Sequence, residues 1–295
     1  MRILSIDVGG HYFKIGIVEE RRILKFLKKK TDRKNVLRDL ERIIKNNRKN
    51  IDGVAVGFPG LVKDGIVFYP PNFPDIIELD VKGILSKDLK IETIVENDAN
   101  LYAIGEAIEG AGKDFKNVIV MTLGTGVGGG IIIDGKIYKG KDGFAGEIGH
   151  IVIEKDGELC GCGMRGCLES YVGAERILRD FNVLKRKRGG KEAKDVKEIG
   201  ELGREGDEDA IFVINEAGRN IGVAISSLVN ILAPDVFIIG GGISNLWDIM
   251  EKPVKDEVRR RIKRDVEIRK GVLGDNAGII GGYIIFEQYG RNKTP

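Results

Sequence analysis

A chain of 295 residues, 42% of them hydrophobic, is long enough to bury a large core and to divide into two lobes. Its 48 basic and 45 acidic side chains nearly balance at +3, which gives no chain-wide case for a nucleic-acid partner. No run of 18 apolar residues offers a membrane-spanning helix, and the first 30 residues lack the pattern of a signal peptide, so a cytoplasmic location is expected. A single glutamine (Gln288) amid abundant Lys, Glu, Arg and Ile is a composition that suggests a thermophile.

Residues 3–25 read as an apolar run, a Gly-rich turn, a second run, a polar turn at Glu20-Arg21 and a third run, the pattern of a β-meander. The stretch from Lys25 to Lys49 is basic. Within it Val36, Leu37, Leu40, Ile43 and Ile44 recur at helical spacing, so it predicts an amphipathic helix with a solvated lysine-rich face. A strand over Gly53–Val56 ends at Gly57-Phe-Pro-Gly60, and prolines stiffen the loop Tyr69–Pro74. Asn72 in that loop serves either as a turn cap or as a reader of substrate hydroxyls.

Ile91–Val95 predicts a strand, followed by Glu96-Asn-Asp-Ala-Asn100 and a helix to about Gly110. Asp98 then stands at a strand's C-terminal end, where ligands commonly bind in α/β sheets. It is either a helix cap or a general base that takes a proton from an alcohol. Histidine is scarce: His11 sits in a Gly-rich turn and His150 in a cysteine cluster, which leaves a carboxylate as the base. Asn97 and Asn100 beside it can bond hydroxyls.

Residues 118–139 repeat the first meander: Gly16 aligns with Gly130, Ile17 with Ile131, Glu20 with Asp134 and Ile23 with Ile137. Each Gly-rich turn lies between two strands, so neither is a Rossmann fingerprint nor a Walker loop. Gly9, Gly10, Gly124 and Gly126, with Thr125, let backbone N–H groups approach an anion, and two such hairpins can hold a polyphosphate from both sides.

All three cysteines lie in the pattern His150-x9-Cys160-x-Cys162-x4-Cys167. Three thiolates and an imidazole fill a tetrahedral Zn²⁺ shell, and a shell with no open position is structural. Redox-active thiols are the alternative; the odd count and the expected cytoplasmic setting favour metal. Gly161, Gly163 and Gly166 supply the tight turns. The chemistry would then belong to the carboxylates this knuckle carries, Glu147 and Glu169. Further on, Gly240-Gly241-Gly242 follows the strand Val236–Ile239, with Ser244 as a candidate N-cap for a helix to about Arg264. Either a nucleotide or close helix–sheet packing accounts for these glycines.

The motifs Asp7-Val-Gly-Gly10, Gly57-Phe-Pro-Gly60, Glu96-Asn-Asp-Ala-Asn100, Leu123-Gly-Thr-Gly-Val-Gly-Gly-Gly130, Glu147-Ile-Gly-His150 and Cys160-Gly-Cys-Gly-Met-Arg-Gly-Cys-Leu-Glu169 occur in that order. Together they resemble the ROK family of sugar kinases and repressors, within the actin/hexokinase superfamily, over nearly the whole chain. The resemblance implies an α/β, two-lobed actin-like ATPase (ribonuclease H-like) fold with a duplicated β-meander. Residues 1–110 would form the N-terminal lobe, joined by the C-terminal helix within 275–295. Residues 111–274 would form a larger lobe carrying the zinc loop 150–167.

It further implies ATP–Mg²⁺ in the cleft between the lobes and a hexose substrate, glucose first, phosphorylated at its 6-hydroxyl with Asp98 as base. Sugar contacts are expected from Asn72, Asn97, Asp98, Glu147, His150 and Glu169. Nucleotide contacts are expected from Gly9, Gly10, His11, Gly124, Thr125, Gly126, Gly241 and Gly242, with Asp7 an outer-shell partner of Mg²⁺. A homodimer or homotetramer is expected. Kinases of N-acetylglucosamine or N-acetylmannosamine share these motifs. The family's regulators carry a winged helix-turn-helix before the first hairpin; here that hairpin begins at residue 2, so DNA binding is not expected. One departure stands out: His11 occupies the position where the family usually has threonine.

Overall fold

The computed structural model describes residues 1–290. Its strands are β1 (Arg2–Val8), β2 (Tyr12–Glu19), β3 (Arg22–Lys30), β4 (Gly53–Phe58), β5 (Leu61–Lys63), β6 (Ile66–Phe68), β7 (Glu78–Asp80), β8 (Thr93–Asn97), β9 (Val118–Leu123), β10 (Val127–Ile133), β11 (Lys136–Ile137), β12 (Val236–Gly240) and β13 (Glu267–Lys270). The helices are α1 (Val36–Asn47), α2 (Val81–Leu89), α3 (Asp98–Glu109), α4 (Glu169–Val172), α5 (Ala174–Arg188), α6 (Val196–Arg204), α7 (Glu208–Leu232), α8 (Trp247–Arg261) and α9 (Ala277–Tyr289).

The internal repeat is real in three dimensions. One five-stranded sheet has the order β3-β2-β1-β4-β8 and the other β11-β10-β9-β12-β13, so each is a meander followed by two parallel strands. A small antiparallel sheet, β5-β6-β7, completes the strands. In each meander the second and third strands are joined by a two-residue turn with both residues at positive φ: 49° and 62° at Glu20-Arg21, 49° and 74° at Asp134-Gly135. That is the type I′ geometry, whose twist matches antiparallel strands. The aligned glycines also share a role. A Cβ on Gly16 would lie 2.3 Å from Ile279 of α9, and one on Gly130 would lie 2.4 Å from Cβ of Ala103 in α3. At both positions glycine is what lets a helix rest on its hairpin.

The chain forms two compact units. Unit 1 comprises Met1–Lys116, Gly130–Gly146 and the segment from Leu273 onward; unit 2 comprises Asn117–Gly129 and Glu147–Val272. Residues 130–146 lie inside the span that the sequence reading gave to the larger lobe, yet they group with unit 1. Three contacts explain this: Gly130 against Ala103, Lys139 Nζ to Glu96 at 2.5 Å, and Gln288 Nε2 donating to the Gly135 carbonyl at 3.3 Å.

The core of unit 1 joins β1, β2, β4 and β8 to α1 and α2 through Leu4, Ile6, Phe13, Leu40, Ile44, Val56 and Leu85. Helix α1 buries Val36, Leu40, Ile43 and Ile44, the face its periodicity predicts, while Leu37 is partly buried. Helix α9 is buried continuously from Ala277 to Phe286 and packs against α3 and β1. Unit 2 packs α5, α7 and α8 on β9 and β12 through Met121, Phe181, Ile221, Phe237 and Met250.

The expected element from Ser244 to Arg264 differs: Gly242–Leu246 is 3₁₀ and the α-helix starts at Trp247. Ser244 does not cap it, because its hydroxyl donates to the Gly241 carbonyl at 2.7 Å. Among the described residues no helix is long and apolar enough to cross a membrane.

Candidate active site

In unit 1 the sheet register sets out a row of candidate positions. Lys14 on β2 pairs with Asp7 on β1, Asp7 with Gly57 on β4, and Gly57 with Glu96 on β8. Asp98 opens α3 immediately after β8. A Cβ on Gly57 would come 3.0 Å from Leu101 and 3.4 Å from the Asp98 Cα, so the missing side chain leaves room for the start of α3 beside Asp7.

The capping role falls to Asn97 rather than Asp98. Its Oδ1 accepts the Asn100 N–H at 3.0 Å and its Nδ2 donates to the Gly60 carbonyl at 2.9 Å. Both ends of the Asn97 amide are thus engaged by the protein. Asn100, a possible hydroxyl partner by sequence, is buried and donates to Glu96 at 3.1 Å. Glu96, itself buried, also accepts the Asn97 N–H at 2.9 Å and pairs with Lys139.

Asp98 is therefore available for chemistry. Its carboxylate accepts the Ala99 N–H at 2.9 Å, and it retains some solvent contact. Desolvation by the surrounding protein, followed by the neighbouring Asp7 charge, lifts its pKa from an ordinary 3.8 to about 7. Lys14 and the Ala99 N–H oppose that rise.

The first Gly-rich turn is tightly held. Gly9 N–H donates to the Tyr12 carbonyl at 3.0 Å, Thr31 Oγ1 donates to the Gly9 carbonyl at 2.7 Å, and Arg33 Nε to the Gly10 carbonyl at 3.1 Å. Asn72 lies against this turn; a Cβ on Gly10 would sit 2.6 Å from the Asn72 Cγ. His11 is exposed, and its carbonyl accepts the Thr31 N–H at 2.9 Å.

Unit 2 brings together the knuckle, both of its carboxylates and the second Gly-rich turn. The Cys160 N–H donates to the Met164 carbonyl at 2.8 Å and the Gly163 N–H to the Cys160 carbonyl at 2.9 Å, closing a tight loop. Gly163 and Gly166 have φ of 87° and 79°, and a Cβ on Gly166 would strike the Glu154 carbonyl at 1.8 Å. Gly161 differs from expectation: it has no positive φ and no close neighbour, so the fold does not require glycine there.

The ligand atoms of His150, Cys160, Cys162 and Cys167 all lie within 4.8 Å of one another. Cys162 Sγ and Cys167 Sγ are 3.8 Å apart, as are Cys160 Sγ and His150 Nδ1. A tetrahedron with Zn–S bonds of about 2.3 Å has edges of about 3.8 Å, so the donors fit zinc in number, type and spacing. Without a metal, burial pushes the Cys160 thiol up to about 12 and raises Cys167 as well, a state that a bound cation reverses. The other His150 nitrogen, Nε2, faces Glu147 Oε2 at 4.0 Å. Burial raises the Glu147 pKa, with His150 opposing and Glu169 adding to the rise.

Glu169, the first residue of α4, links the knuckle to the second Gly-rich turn. Its Oε2 accepts the Val127 N–H at 2.9 Å and its Oε1 lies 3.7 Å from Cys160 Sγ. That turn is closed by Gly124 N–H to the Gly126 carbonyl at 2.9 Å and is met by the Ala174 N–H of α5, which donates to Gly124 O at 3.0 Å. Thr125 at its tip is exposed. The third glycine site adjoins the same turn. A Cβ on Gly241 (φ 81°) would lie 2.3 Å from the Leu123 carbonyl, so packing demands this glycine, whereas Gly242 borders open space.

Lys14, Lys139 and Glu96 were not among the sequence-predicted site residues. Lys14 is legible only from the register of the first hairpin, and Lys139 only once residues 130–146 are seen to pack on unit 1.

The family model for the ROK family matches residues 3–289. A glucokinase from Thermotoga maritima is 32% identical, covering 98% of both chains. A glucokinase from Halalkalibacterium halodurans is 36% identical over 82% of this chain and 78% of its own. The crystal structure of a ROK family glucokinase from Streptomyces griseus, in complex with glucose and AMPPNP, superimposes with a TM-score of 0.86 at 30% identity, covering 98% of this chain and 100% of that one.

Proposed function

The chain belongs to the ROK family, with the actin-like α/β fold and the activity of an ATP-dependent sugar kinase, and on that premise we propose that it phosphorylates a hexose at the 6-hydroxyl, glucose before other sugars, with Asp98 as the general base. The observation that carries this reading is the Asp98 carboxyl, held at about 7 beside Asp7 at the head of α3. A base is most effective when its pKa lies near the working pH, and such assistance contributes about 10²–10⁴-fold.

In this reading Asp98 takes the proton of the sugar hydroxyl as that oxygen attacks the γ-phosphorus of ATP. Asn72, Asn97, Glu147, His150 and Glu169 orient the sugar. For Asn97 this contact is made with an amide that also caps α3, so it acts chiefly by holding the loop around Gly60. The backbone N–H groups of Gly9, Gly10, His11, Gly124, Thr125 and Gly126 cradle phosphate oxygens, and Gly242 leaves room for the nucleotide. Most of the acceleration comes from positioning and from opposing the charge that spreads over the equatorial oxygens. Mg²⁺ would neutralise phosphate charge there, and the Asp7 carboxylate would serve as its outer-shell partner. His150, Cys160, Cys162 and Cys167 would hold a zinc ion, which would fix the knuckle that carries Glu147 and Glu169.

A coupled ADP-release assay over glucose, mannose, fructose, glucosamine, N-acetylglucosamine and N-acetylmannosamine tests the assignment. Glucose is expected to give the highest kcat/KM. A highest value for an N-acetylhexosamine transfers the chain to that substrate class, and no turnover with any of the six rejects the hexose reading.

A further inference from the structure

The row Lys14, Asp7, Gly57 runs across β2, β1 and β4, and register partners in a sheet project to the same face. Asp98 borders Gly57, since a Cβ at Gly57 would lie 3.4 Å from the Asp98 Cα and 3.7 Å from its Cβ. Lys14 Nζ donates to Asp7 Oδ2 at 2.9 Å and lies 3.4 Å from Asp275 Oδ1, with the Lys14 side chain only 27% exposed. A half-buried ammonium is thus fixed between Asp7 and Asp275, and its charge reaches the proposed base, Asp98.

We propose that Lys14 is a positioning residue for phosphoryl transfer, which holds the Asp7 carboxylate in place and keeps the proton affinity of Asp98 low enough for a base at neutral pH. This deepens the reading of Asp98 as general base and rests on it. Burial works against the Lys14 charge, but attraction and hydrogen bonding to Asp7, then to Asp275, outweigh it and raise its pKa. Lys14 therefore remains an ammonium throughout the pH range in which Asp98 titrates.

The other charges at this place are already committed. Asp275, before α9, also bonds Lys28 on β3, and Glu96 on β8 bonds Lys139. The first turn of α9 contributes no charge where it meets Asp7: Gly278 is its neighbour there, with a Cβ position 3.4 Å from Asp7 Oδ2. Removing the Lys14 charge then acts twice in one direction. It takes away an attraction for ionised Asp98, and it leaves the Asp7 charge uncompensated beside it.

The test is kcat/KM for sugar from pH 5 to 9 in the wild type, Lys14→Met, Lys14→Gln and Lys14→Arg, with Asp98→Asn alongside. The acidic limb of the wild-type profile is expected near 7. Lys14→Met and Lys14→Gln, either of which suffices, should move that limb upward by about one pH unit, the lower end of the effect of a close opposite charge. At pH 6 the loss relative to each protein's own plateau should then be about tenfold greater than in the wild type. Lys14→Arg should leave the limb in place. A residue with a purely structural role lowers activity by the same factor at every pH, so a limb unmoved in the neutral variants, or moved equally by arginine, overturns the proposal. A wild type without any limb near 7 instead overturns the general-base reading itself, which keeps the two failures apart.

Discussion

Asp98→Asn removes a proton acceptor and, with it, a charge that the folded state holds unfavourably. The Asp98 carboxyl moves from 3.8 to about 7 on folding, first through desolvation and then through the Asp7 charge. The sign follows from linkage: a carboxyl whose folded pKa is raised costs nothing well below pH 3.8, where both states are protonated. The cost grows between the two pKa values and is complete above the folded one. The gap between 3.8 and about 7, at about 1.4 kcal/mol per pH unit, sets a ceiling of ~4 kcal/mol. Asp98 keeps some solvent contact, and screening roughly halves that to ~2 kcal/mol. Asparagine retains an oxygen for the Ala99 N–H, so the substitution removes little else.

The variant is therefore expected to lie within about 0.5 kcal/mol of the wild type in stability at pH 4 and to exceed it by ~2 kcal/mol at pH 8, while turnover falls by about 10²–10⁴-fold. Thermal unfolding from pH 4 to 9 measures the first effect, as a gain of about 2–4 °C per kcal/mol for a chain of this size. Steady-state kinetics with glucose measures the second. A stability difference that is flat with pH, or a variant less stable at pH 8, refutes the reasoning about burial and charge. Near-normal turnover removes Asp98 from the role of base.

Metal analysis of purified protein should find about one zinc per chain, and Cys162→Ser should lower both zinc content and kcat/KM, the latter at least tenfold, because Glu147 and Glu169 lose their anchor. A zinc-free preparation with full activity contradicts this. Gly16→Ala and Gly130→Ala each force a methyl group onto a packed helix, at 2.3 Å from Ile279 and 2.4 Å from Ala103, and should cost about 1–3 kcal/mol in unfolding experiments. Gly161→Ala meets open space and should change stability by less than about 0.5 kcal/mol, so equal effects at the three positions would refute the packing account.

Much of this molecule is written locally. The α1 face, the two meanders with their I′ turns and the cysteine knuckle are short-range patterns, and each depends on spacing and backbone chirality within about thirty residues. Assignments that depend on distant partners were less legible. Asn97 and Asn100 look alike as hydroxyl readers in sequence, but one caps α3 and the other is buried against Glu96. Gly241 and Gly242 are adjacent and chemically identical, and only the approach of the Leu123 carbonyl tells them apart. The start of α8 was misplaced because the Ser244 hydroxyl turns back to Gly241 instead of capping a helix.

The candidate ligand set for a metal and the duplicated hairpin are legible in the sequence alone, since each knuckle or hairpin is a pattern contained within about thirty residues. Tertiary structure decided the proton affinity of Asp98. Proton affinity depends on how much water is displaced and on which charges arrive from other strands. For Asp98 those charges are Asp7 and Lys14, paired with each other across β1 and β2 by the register of the first sheet.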